Sequence, residues 1–191
     1  MSAPADLQIA PIQCWDSCLF IAFLTGEPKR AQIVRELLKR AKAGSLTIAI
    51  SELVVAEVRP ARPSHSSAER KVIEDLLGAD HPFMRFFAVT HQIARLARDI
   101  GSQQPSLTVP DTVHIATALV AKADVFYTFD GDHEKKARRS GDLLRWDKTF
   151  GAPPLRIEAP AIDFGPLFTS EGRQLQPGGE SSAERPAQGS T

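Results

Sequence analysis

The chain has 191 residues, 42% of them hydrophobic and 24% charged, the proportions of an ordinary globular domain long enough to close a full core. Its formal net charge is zero, which argues against a general polyanion binder but leaves room for a local basic face. The two cysteines, Cys14 and Cys18, are too few for a disulfide framework and lack the partners of a zinc site. They read as small buried hydrophobes in a reducing cytosol.

The N-terminal Met1-Ser2-Ala3-Pro4-Ala5-Asp6 carries no basic region of a secretory signal. The apolar stretch from Cys18 to Thr25 is far below the roughly 20 residues that span a bilayer. A cytoplasmic protein is expected. A first strand is predicted over Ile12–Trp15, closed by Asp16. Ala31 to Lys42 then sets Ile33, Val34, Leu37, Leu38 and Ala41 on one helical stripe. Leu46–Ile50 reads as a second strand, followed by a helical stretch, Ser51 to Glu57. Two prolines make Arg59 to Ser66 a loop. Ser67 to Leu77 repeats the helical spacing with Val72, Ile73, Leu76 and Leu77.

Phe86–Val89 is the third predicted strand, and His91 to Ile100 the helix after it, with Ile93, Leu96, Ala97 and Ile100 in register. Beyond the loop Gln103 to Ser106, a helix over Asp111–Lys122 is apolar nearly all round, as a buried helix must be. Val125–Phe129 is the fourth strand, closed by Asp130, and Leu155–Ile157 a weaker fifth. Strands alternating with helices imply right-handed crossovers and a mostly parallel sheet. The expected fold is therefore α/β, a three-layer α/β/α sandwich. One domain is expected over residues 1–160, with an extension over 161–191. From about Ser170 the composition turns to Gly, Ser, Pro, Gln and Glu, too polar to offset its ordering entropy, so disorder is expected there.

Asp16, Glu57, Asp111 and Asp130 all fall where this fold sends them toward the carboxyl ends of the strands, the side of the ligand crevice in open α/β sheets. Carboxylates gathered there repel one another and resist losing water, so the cluster needs cations. Hard oxygen ligands suit Mg²⁺ or Mn²⁺, and such an ion can activate water and stabilise charge growing on a phosphodiester. A metal-dependent phosphodiesterase is the resulting expectation. For each acid taken singly, capping a helix or pairing with a basic residue is the plainer alternative.

Four stretches sharpen this reading: Trp15-Asp16-Ser17, Ser51-Glu52-Leu53-Val54-Val55-Ala56-Glu57-Val58, Val109-Pro110-Asp111-Thr112-Val113-His114-Ile115-Ala116-Thr117-Ala118, and Thr128-Phe129-Asp130-Gly131-Asp132. In them the chain resembles the PIN-domain family of metal-dependent ribonucleases, most closely the VapC-like toxins of toxin–antitoxin systems. The resemblance implies that Asp16, Glu57, Asp111 and Asp130 are catalytic acids holding Mg²⁺ or Mn²⁺, with Ser17 and Thr128 as hydroxyls that orient them. It also implies an RNA substrate, a small antitoxin partner and a homodimer. Many relatives have Asn two positions after the first acid. Here Cys18 stands there, removing a polar group near the site.

Asp132 is a candidate fifth metal ligand, or a cap for a helix starting near His133. Glu52 is left out, because five positions turn a helix by about 500° and point it away from Glu57. His114 reads as a core histidine of a buried helix, or as a contact to substrate phosphate. Lys135, Lys136, Arg138 and Arg139 follow the proposed site and could steer a phosphate backbone, where the plainer reading is a solvated face. The basic helix around Lys29, Arg30, Arg35, Lys39, Arg40 and Lys42 reads first as such a face. A dehalogenase-type phosphatase fails, since Glu134 stands where that motif needs Thr. A Rossmann binder fails for want of a glycine-rich turn after the first strand. The remaining rival is a PIN-like module that binds RNA or protein with little catalysis.

Overall fold

Five short strands, β1 (Ile12–Trp15), β2 (Thr47–Ser51), β3 (Met84–Phe87), β4 (Val125–Tyr127) and β5 (Arg156–Glu158), pair in the order β3-β2-β1-β4-β5, all parallel. This computed structural model describes residues 10–59, 67–78, 80–131, 143–145 and 150–162. One compact unit runs from Met1 to Ala161 and a second from Ile162 to Thr191, of which only Ile162 is described. The tail expected to be disordered lies outside the described residues.

Six helices appear among the described residues: α1 (Ser17–Leu24), α2 (Arg30–Lys42), α3 (Leu53–Glu57), α4 (Ser67–Leu77), α5 (His91–Gln103) and α6 (Val109–Val120). Alternate strand residues face opposite ways, and the two faces are covered by different helices. Cys14, Ala49 and Phe126 join the core built with Ile93, Ala97 and Ile100 of α5 and Ile115, Ala116 and Ala118 of α6. On the other face the buried Trp15 ring meets Phe20 of α1 with centroids 5.6 Å apart. The expected α/β fold is what the chain forms.

Several boundaries differ from the sequence reading, each for a local reason. The apolar stretch after Asp16 has no polar face to mark it, yet it forms α1, burying Leu19, Phe20 and Ala22. β3 starts two residues before the predicted Phe86, because Val89 is 44% exposed and Thr90 has left the sheet to cap α5, its hydroxyl accepting the Ile93 amide. β4 stops at Tyr127 rather than Phe129, since the Phe129 amide donates to the Cys18 thiol instead of a neighbouring strand. α6 begins at Val109, not Asp111. Thr108 is its N-cap and Asp111 its third residue in a reciprocal capping box, with Pro110 in the first turn.

Strand order reverses at β1, with β2 on one side and β4 on the other. In open α/β sheets such a switch point is where the ligand crevice lies, here beyond the carboxyl ends of β1 and β4. Phe126 of β4 is fully buried in the core that α6 shares. Phe126→Ala is expected to lower unfolding free energy by about 3–5 kcal/mol in urea denaturation. A loss near zero would mean that this face of the sheet is not packed as described.

Candidate metal centre

Asp16 stands at the mouth of that crevice because β1 ends there and α1 begins. Its amide donates to the Tyr127 carbonyl at 3.0 Å, extending the β1–β4 pairing by one bond. Its side chain is the N-cap of α1: Oδ1 accepts the Ser17 amide at 2.6 Å and the Ser17 hydroxyl at 3.3 Å. Oδ2 accepts the Thr128 hydroxyl at 2.7 Å and the Cys18 thiol at 3.2 Å. Only 7% exposed, the carboxylate is held by donors on both oxygens.

Thr128 serves two acids. While donating to Asp16, its hydroxyl accepts the Asp130 amide at 2.9 Å and so ties the end of β4 to the end of β1. Cys18 does not remove a polar group from the site: its sulfur accepts the Phe129 amide at 3.1 Å and donates to Asp16. Burial, then the nearby Asp16 charge, pushes this thiol well above its usual pKa, so it stays a protonated donor.

Glu57 reaches the crevice from the last residue of α3, and His114 from the second turn of α6. His114 Nε2 lies 2.8 Å from Glu57 Oε2 and 3.8 Å from Asp16 Oδ1. Burial alone would lower the histidine pKa; the Glu57 hydrogen bond and the charges of Asp16, Glu57 and Asp111 outweigh it and hold the imidazole above its ordinary value. For Glu57, burial is opposed by the His114 hydrogen bond and charge and by the Ser17 hydroxyl, leaving its carboxyl below the usual range. The ring is 2% exposed, which closes it to a substrate phosphate. Its Nδ1 is buried without a partner among the described residues.

The structure brings together Asp16, Glu57 and His114, whose donor atoms lie within 4.8 Å of one another. Asp111 and Asp130 are not among those donors. Asp111 Oδ2 accepts the Thr108 amide at 2.8 Å and hydroxyl at 2.6 Å, so this acid closes the capping box as the third residue of α6. Asp130 Oδ2 faces the Leu143 amide at 3.5 Å, and its carbonyl accepts the Leu144 amide. Asp132, Lys135, Lys136, Arg138 and Arg139 lie outside the described residues. His114 is the residue that sequence reasoning left in the core. The signal that could have found it is its spacing, one helical turn from Asp111 on the same face.

Two carboxylates and an imidazole are suitable donors for a divalent cation. Their donor atoms all lie within 4.8 Å of one another, close enough to converge on one ion. The residues present therefore fit such an ion.

Fold and site together define a parallel α/β protein with two carboxylates and an imidazole gathered at its topological switch point. The PIN domain family model matches residues 14–139, and the chain belongs to that family. Among solved structures, the VapC20 toxin of Mycobacterium tuberculosis, described as cleaving the sarcin–ricin loop, shares the fold with a TM-score of 0.50 at 16% identity, over 63% of this chain and 91% of that one. A toxin–antitoxin complex from Klebsiella pneumoniae gives 0.47 at 18% identity, over 62% and 91%. VapBC2 from Rickettsia felis, bound to a DNA fragment from its promoter, gives 0.46 at 16% identity, over 61% and 86%. No curated protein matches the chain.

Because the Thr128 hydroxyl serves both acids and also meets the Cys18 sulfur, Thr128→Val keeps the shape and removes three hydrogen-bond contacts at once. The variant is expected to lose about 1–3 kcal/mol of stability in urea denaturation. Stability within about 0.3 kcal/mol of the parent would show that this hydroxyl does not join the two strand ends.

Proposed function

We propose that this chain is a Mg²⁺- or Mn²⁺-dependent endoribonuclease that hydrolyses RNA phosphodiester bonds, the toxin of a type II toxin–antitoxin system. The observation that carries the reading is the convergence of Asp16, Glu57 and His114 beyond the carboxyl ends of the central strands. Membership of the PIN-domain family supports it. So does the shared fold with a toxin described as cleaving the sarcin–ricin loop, which favours RNA as the substrate.

In this reading Asp16 and Glu57 hold the cation, and Asp111, Asp130 and Asp132 complete the acidic set. The cation, when bound, supplies positive charge for the phosphodiester oxygens and lowers the pKa of a coordinated water. Ser17, Cys18 and Thr128 keep the Asp16 carboxylate turned into the crevice, so no reorientation is needed when substrate arrives. Lys135, Lys136, Arg138 and Arg139 engage the RNA backbone. A small antitoxin that covers the crevice, a homodimer and a cytoplasmic location follow from the resemblance to VapC-like toxins. No helix among the described residues is long and apolar enough to cross a membrane.

Cleavage of a mixed pool of structured RNAs tests the reading, with Mn²⁺ or Mg²⁺, with EDTA, and with Asp16→Asn. Asn caps helices as well as Asp does, so α1 should keep its start while the charge is lost. Cutting is expected to vanish in EDTA and to fall at least about a hundredfold in the variant. Equal rates in parent and variant would remove Asp16 from the site. No cutting and no metal binding by the folded parent would leave a binding module.

A further inference from the structure

The imidazole of His114 is the one feature of the crevice that the acidic set does not explain. Its ring sets Nε2 between two carboxylates brought from the ends of β1 and α3, 2.8 Å from one and 3.8 Å from the other. The residue as a whole is only 2% exposed, so the ring is held in place by its surroundings. The far nitrogen, Nδ1, meets no acceptor among the described residues. Glu57 only accepts, so with no cation in place the ring proton sits on Nε2, and a cation taken by Nε2 would displace that proton.

Resting on the metal-site reading above, we propose that His114 Nε2 is itself a ligand of the ion held by Asp16 and Glu57. This nitrogen biases the site toward first-row transition ions such as Mn²⁺ over Mg²⁺. The chemistry follows from the donor set. Mg²⁺ takes oxygen ligands and parts with its waters reluctantly, while imidazole nitrogen suits the softer transition ions. A purely carboxylate site would bind the two ions through the same hard oxygens and discriminate little. One buried nitrogen in the shell changes the ratio of their affinities.

Pulsed electron paramagnetic resonance of the full chain loaded with Mn²⁺ reads the ligand directly, and displacement of Mn²⁺ by Mg²⁺ reads the preference. Expected is hyperfine coupling to an imidazole nitrogen in the parent, kept in His133→Gln and lost in His114→Gln. The ratio of Mn²⁺ to Mg²⁺ affinity should fall about tenfold or more in His114→Gln. If that variant does not fold, coupling kept in a chain with His65, His81, His91 and His133 all changed to Gln assigns it to His114, and coupling lost there overturns the assignment. Mn²⁺ binding that weakens in Asp16→Asn but shows no nitrogen coupling in the parent would overturn the role of His114 and leave the carboxylate site standing. Nitrogen coupling lost only in His133→Gln would do the same. No Mn²⁺ binding by the folded parent would overturn the metal site itself, and this inference with it.

Discussion

Two carboxylates drawn to one poorly solvated point set the terms for everything around them. Asp16 and Glu57 contribute oxygens to a group of donors no more than 4.8 Å across. Two like charges about 4 Å apart repel by roughly 4 kcal/mol at an effective dielectric near 20. That is a large share of the about 5–15 kcal/mol by which a domain is stable at all. The fold accommodates the pair by setting the His114 imidazole against both, with Nε2 2.8 Å from Glu57 and 3.8 Å from Asp16.

The scaffolding of the crevice follows from that demand. The two oxygens of Asp16 are met from two sides, Oδ1 by Ser17 of α1 and Oδ2 by Cys18 of α1 and Thr128 at the end of β4. The sheet brings these together because β1 and β4 are neighbours although they are more than a hundred residues apart in the chain. Hydrogen bonds that would normally extend the sheet are given up for this purpose. The Phe129 amide goes to sulfur and the Asp130 amide to a hydroxyl, which is why β4 is only three residues long.

Much of this was legible in the residues. The alternation of β-branched runs with helical stripes specified a parallel α/β sheet, and the placement of Asp16 and Glu57 followed from their positions after β1 and β2. What stayed hidden depends on long-range geometry. α1 has no polar face, so its periodicity is silent. Sheet register, visible only once β2 and β3 pair, moved β3 by two residues. His114 sits in a helix whose apolar surroundings look like any core, and only tertiary contact turns its ring toward Glu57. Cys18, read as a missing amide, proved to be a polar partner because a sulfur can both accept from one chain end and donate to another.

The capping box at the start of α6 gives Asp111 a second employment, as does the N-cap position for Asp16. Glu57 has none: it ends a helix of five residues and caps nothing, and its ties are to the crevice. The helices that begin at positions 16 and 111 constrain those residues to acids or their amides whatever the site does. Position 57 carries no such duty, so under the proposed function its identity among related chains would be the one that tracks the chemistry.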